Sequence, residues 1–204
     1  VKFEPSLEEF LREVRGHVME VVLDQGVHRH IRFATPGTGF SSYSLTTWPD
    51  HLALSGDLGC YVFRRTEDMF EFFRQAGPQA SLTINPYYWG EKVVAADVGR
   101  GMERYSPERF REAIMEMVED GTEDERLEGA DVAGYADHGQ EEATRIACDF
   151  GFESIYDYNL TAPSYGLIWA LWAVAWGVWK YDQKREEEQG VGTSRSGIEL
   201  QLRH

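Results

Sequence analysis

Cysteine is nearly missing from this sequence: Cys60 and Cys148 are the only two in 204 residues. Two cysteines make neither a disulfide framework nor a zinc quartet, so the chain must fold on its hydrophobic core, as its length allows. Both read as small buried apolar residues, one in a strand and one on a helix beside Ile146 and Phe150. A reducing cytoplasm suits that usage, and "VKFEPSLEEF" has no basic segment followed by an apolar one, so it is not expected to act as a signal peptide.

Long apolar runs are also missing. The longest, Tyr165 to Trp179, is fifteen residues, which as a helix reaches roughly 22 Å against the ~30 Å of a bilayer core. "KREEE" follows closely, so a membrane span is not expected. Basic residues are few, with twenty Lys and Arg against thirty-five Asp and Glu, for a net charge of -15. Such a surface repels nucleic-acid backbones and anionic membranes and favours basic protein partners, although acidity also serves plain solubility. No internal repeat and no low-complexity segment appears.

The motifs of several enzyme classes are missing too. "TPGTG" and "SGDLG" lack the Lys-Ser/Thr of a phosphate loop and the strand-to-helix setting of a dinucleotide fingerprint, so both read as turns. There is no nucleophile elbow, and no cofactor is implied. One constellation remains. His28 and His30 are two apart on a predicted strand and share a face, with Asp50, His51 and Asp57 on nearby turns. Two imidazoles with carboxylates would suit a metal that activates water, giving a hydrolase or nuclease reading, but no known metal motif completes the set. The other reading is an exposed sheet face carrying His28, His30 and Arg32.

What is present is α+β in order, sheet first and helices after. "SLEEFLREVRGHV" opens with Ser6 as cap. Short alternating runs over about 19–64, broken at Asp24-Gln25-Gly26, Pro49-Asp50 and Asp57-Leu58-Gly59, predict an antiparallel meander of four to five strands. Helices follow at "TEDMFEFFRQA" with Thr66 as cap, at "SPERFREAIMEMVED" with Ser106 as cap, and at "GQEEATRIACDFGF". This describes a single domain over 1–189, sheet-rich over 17–65 and helical over 66–189. Residues 190–204 read as a flexible tail or, through "IELQLR", a late edge strand.

Trp169, Trp172, Trp176 and Trp179 are spaced three, four and three, and fall on one face of a helix. Leu171, Val174 and Val178 cover the other side, with Ala170, Ala173 and Gly177 between. A helix apolar all round is normally central, and its small residues would let a neighbour approach closely. The indoles are therefore expected in the core, against the sheet. A partner-binding stripe, or the seam of a structural homodimer, is the competing reading.

From Glu103 to Glu142 there are fourteen acidic residues against four arginines. Glu108, Glu112 and Glu116 step by four along one side of their helix, and Glu119 and Asp120 extend the strip. Like charges at that spacing work against the helix, which points to an outside use, such as imitating a phosphate row or docking on a basic groove. A solvated helix face is the alternative.

The segments "GVHRHIRFATPGTG", "LTTWPDHLALSGDLGCYVFRRTEDMFEFF" and "INPYYWGEKVVAAD", with "SPERFREAI" and the tryptophan helix, resemble a family of uncharacterised phage- and prophage-encoded accessory proteins. The resemblance covers most of the chain and carries no activity or catalytic residue. It implies a small protein made in a bacterial host cell, of a kind that acts by binding a host defence or regulatory protein.

Overall fold

The computed structural model describes residues 5–99 and 101–201, and of residues 191–201 only the backbone. In chain order it forms α1 (Leu7–Glu13), β1 (Val18–Gln25), β2 (His28–Ala34), β3 (Tyr43–Trp48), β4 (His51–Gly56), β5 (Gly59–Arg64), α2 (Met69–Phe73), α3 (Pro86–Gly90) and β6 (Val93–Ala96). Next come β7 (Glu103–Tyr105), α4 (Pro107–Met117), α5 (Glu123–Ala133), α6 (Gln140–Asp149), β8 (Thr161–Pro163) and α7 (Tyr165–Gln201), with short 3₁₀ turns between some of them. Two compact units result: a sheet unit, Val1–Met102 with Tyr165–His204, and an acidic unit, Glu103–Ser164. The chain leaves the sheet unit after Met102 and returns to it at Tyr165, so the helical stretch expected over 66–189 is shared between the two units.

The sheet is an antiparallel meander in the order β1 to β6. Its turns are those marked in the sequence, with Gly26 at φ 63° and Asp50 at φ 68°, a left-handed geometry that Gly and Asp tolerate. Alternation then sorts the side chains. Ile31, Phe33, Tyr43, Leu45, Leu52, Leu54, Tyr61 and Phe63 are buried on one face. The sixth strand was not expected, and pairs with β5 through Val62 and Ala95.

The tryptophan helix is the spine of this unit, as expected. Trp169 and Trp176 are 1% and 3% exposed, and Leu171, Val174 and Val178 are buried on the far side. Trp169 packs edge-on against Phe10 at 5.3 Å and Tyr43 at 5.5 Å, and Trp176 lies 5.5 Å from Phe33. Gly177 shows why the small residues matter: a Cβ there would sit 2.7 Å from Leu45 Cδ1 and 3.2 Å from the Phe33 ring. Three indole N–H groups donate within the unit, Trp169 to Glu13, Trp172 to the Pro5 carbonyl and Trp179 to the Gly77 carbonyl. Trp169 and Trp176 are thus core residues, the Trp176 N–H being buried with no partner among the described residues, while Trp172 and Trp179 stay half-buried at the edge of the unit. Among the described residues no helix is long and apolar enough to cross a membrane.

Several local expectations are corrected. Asp68, not Thr66, caps α2, because its carboxylate accepts from the Phe70 N–H while also receiving both Arg29 Nη groups. Cys60 is exposed and Cys148 half-buried. Cys60 falls on the outward register of β5, between the buried Gly59 and Tyr61. The backbone of "IELQ" continues α7 as helix through Gln201 where an edge strand was one expectation, and the remainder of that run lies outside the described residues.

The acidic unit packs α4, α5 and α6 around a small core of Phe110, Ala113, Ile114, Val132, Ala133, Ala136, Ala143, Ala147, Ile155 and Leu160. α5 is the element the sequence hid. Thr122 caps it with Glu125 in a capping box, and Gly129 lets α4's following residue Val118 approach to where a Cβ would lie 2.9 Å away.

Candidate functional site

The histidine set is spread over the sheet rather than gathered. His28 and His30 do share the outward face of β2, but His30 Nδ1 is 2.8 Å from Thr46 Oγ1, its cross-strand partner on β3. His51 stacks on Trp48 at 5.0 Å and donates to the Pro49 carbonyl. It begins β4, two strand spacings or about 9–10 Å from β2. Asp50 sits in the turn before β4, and Asp57 in the turn at the other end of it. Among the described residues no three His, Cys, Asp or Glu side chains come together as ligands for a metal. His28, His30, Asp50, His51 and Asp57 are therefore not gathered as one set of ligands: alternation gives His28 and His30 a common face, and pairing register spreads the others away from them.

The acidic strip is divided between α4 and the turn that follows it. Glu108, Glu112, Glu116, Glu119 and Asp120 are all exposed. α4 ends at Met117, so Glu119 and Asp120 lie in the turn that leads to α5 rather than on the helix itself. Two of the five also have local work. Glu108 accepts from Ser106 Oγ at 3.0 Å in the first turn of α4, and its own backbone N–H, ahead of Ser106, holds its carboxyl below the usual range. Glu116 lies against the Tyr158 hydroxyl, whose pKa is raised by burial and by that carboxylate. Glu112, Glu119 and Asp120 have no such side-chain bond among the described residues.

The strip belongs to something larger. The acidic unit contains seventeen Asp and Glu against five arginines, a net of -12, which leaves eighteen against fifteen, or -3, for the rest of the chain. All seventeen carboxylates are exposed. The arginines do not relieve them as a patch: Arg145 is held between Glu142 and Asp149, Arg111 pairs with Asp137, and Arg126 donates to the Glu119 carbonyl.

One feature beside the strip has no counterpart in the sequence reading. A cavity of about 480 Å³ opens between the α4–α5 turn and the end of α6, walled by Met117, Phe150, Phe152 and Tyr158 with Glu125 and Glu128 at its side. The only sequence signal is "DFGF", two phenylalanines around a glycine, and Gly151 takes φ 85°.

Compared with known protein families, curated proteins and solved structures, the chain matches none.

Proposed function

We propose that the protein is a non-enzymatic interaction protein whose acidic unit docks on a basic, nucleic-acid-binding surface of another protein. The observation that carries this is the segregation of charge: -12 of the -15 lies on one unit, with every carboxylate exposed. Acidity kept for solubility alone has no reason to collect on under a third of the chain. A concentrated negative field steers a cationic surface toward it and competes with phosphates for that surface. The resemblance to phage and prophage accessory proteins supplies a setting, the bacterial cytoplasm, and a class of target, a host defence or regulatory protein.

Glu112, Glu119 and Asp120 are the residues to reverse, because Glu108 accepts from the capping Ser106 at the start of α4 and Glu116 bonds Tyr158. The triple variant Glu112→Lys, Glu119→Lys, Asp120→Lys and the wild type are immobilised and exposed to bacterial lysate. The wild type is expected to retain proteins that duplex DNA releases, and the variant to lose them while melting near the wild-type temperature. Equal retention by both, or retention indifferent to DNA, would overturn the reading.

A further inference from the structure

The cavity beside the acidic strip has an unusual lining. Phe150, Phe152 and Tyr158 supply three aromatic rings, Met117 a thioether, and Glu125 and Glu128 two carboxylates, while no lysine, arginine or histidine lines it. The contrast with a cavity of about 650 Å³ in the sheet unit is instructive. There three guanidinium groups line the wall, but Arg29 is held by Asp68, Arg74 by Asp182 and Arg185 by Asp24, so an anion entering would have to break existing pairs. The cavity of the acidic unit has negative charge and aromatic faces with no cation on its walls.

We infer that this cavity receives the guanidinium group of an arginine on the basic partner, a role that rests on the acidic unit being a docking surface. Charge complementarity chooses the occupant, since the unit around it is net -12. The aromatic wall makes the choice finer. A planar, weakly hydrated guanidinium stacks on a ring face and takes a carboxylate in two parallel hydrogen bonds, whereas an ammonium is a strongly hydrated point charge.

The walls are set in advance. Glu125 Oε2 accepts from the Thr122 N–H at 2.6 Å and the Thr122 hydroxyl at 2.8 Å, which fixes the carboxylate at the start of α5. Those bonds, the backbone one first, also hold it below the usual carboxyl range, so it stays charged. Phe150 follows α6 directly, and the Phe152 N–H returns to the Ala147 carbonyl at 2.9 Å, locking the turn between the two rings. Phe150 is 47% exposed, a large apolar ring left partly open among carboxylates.

The test is a ¹H–¹⁵N NMR titration of the full chain with N-acetyl-arginine amide and, separately, N-acetyl-lysine amide, which carry the same charge. The arginine amide is expected to shift the amides of Gly121, Gly151 and Phe152 saturably, and to bind about fivefold more tightly than the lysine amide. Phe150→Ala should erase that preference, and Glu128→Gln, an exposed change that leaves the fold intact, should weaken both amides. Equal binding of the two amides, or an arginine preference that survives both substitutions, overturns the inference. The strip reversal Glu112→Lys, Glu119→Lys, Asp120→Lys lies outside the cavity wall. Loss of DNA-competed capture with small-cation binding intact therefore supports strip and cavity together. If wild-type capture ignores DNA while the amide binds as described, the docking reading fails and the guanidinium site stands.

Discussion

The two units of this chain solve the same folding problem with opposite materials. The sheet unit holds all six tryptophans and buries large aromatic rings from α1, the sheet and α7 against one another. Its charges nearly balance. The acidic unit has no tryptophan, and its core relies heavily on alanine. Its surface carries seventeen carboxylates and five arginines. Burial of area drives both, but a small-residue core offers less of it per side chain while self-repulsion at the surface opposes it. The difference assigns the roles: one unit is stabilised by apolar bulk, and the other keeps a surface that works against its own stability.

The largest break in this comparison should come from the spine. Trp169→Ala removes the ring that touches both Phe10 and Tyr43 and the donor to Glu13, and is expected to cost about 3–5 kcal/mol. The five remaining tryptophans all lie in the sheet unit, so their fluorescence in a denaturant titration reads that unit's transition. A loss below about 1 kcal/mol would mean that the indole is not a principal core contact.

A smaller break lies where the sheet unit does bury charge. Arg29 takes an inward position on β2 beside Ile31 and Phe33, 7% exposed, with Phe70 and Tyr181 rings 4.7 and 5.5 Å from its guanidinium. Burial would raise the Asp68 carboxyl, but the Arg29 hydrogen bonds, the Phe70 N–H and the Arg29 charge outweigh it and hold it below its ordinary value. A carboxyl depressed in the folded state adds stability in full above its unfolded pKa, near 4, and loses it as pH falls through the lower folded value. Asp68→Asn is therefore expected to cost about 2 kcal/mol at neutral pH, less than a fully enclosed pair because Asp68 is partly open to solvent. The variant should also flatten the loss of tryptophan-reported stability below pH 4. An unchanged acid limb would show that Asp68 is not its source.

What could be read from the sequence follows the same division. The meander was legible because Asp24-Gln25-Gly26, Pro49-Asp50 and Asp57-Leu58-Gly59 punctuate alternating runs, and α7 because its apolar residues are continuous. β6 was hidden: four residues after a short helix, with Val94 exposed, show no alternation. α5 was hidden for the opposite reason. "EDERLEGADVA" has no apolar stripe, and only Gly129, Val132 and Ala133 of it are buried, so it reads as charge. The acidic strip was legible from spacing, although Glu119 and Asp120 proved to lie beyond the helix. The aromatic cavity was not, because Met117, Phe150, Phe152 and Tyr158 meet only after α4, α5 and α6 have packed, and no periodicity connects them.

The smallest effects separate carboxylates that support α4 from those that oppose it. Ser106 accepts from the Arg109 N–H and donates to Glu108, so Ser106→Ala should cost about 1 kcal/mol. Glu112 lies one turn from Glu108 and one from Glu116, like charges on both sides. Glu112→Gln should thus raise stability by a few tenths of a kcal/mol, and the gain should fade as salt screens the repulsion. Thermal melts followed by far-ultraviolet circular dichroism at low and high salt read both variants. Destabilisation by Glu112→Gln at low salt would show that the strip serves its own helix, removing the reason to seek its use in a partner. A salt-sensitive gain would mark it as a charge held at a cost to the fold, the condition under which the proposed use of the strip in a partner is worth seeking.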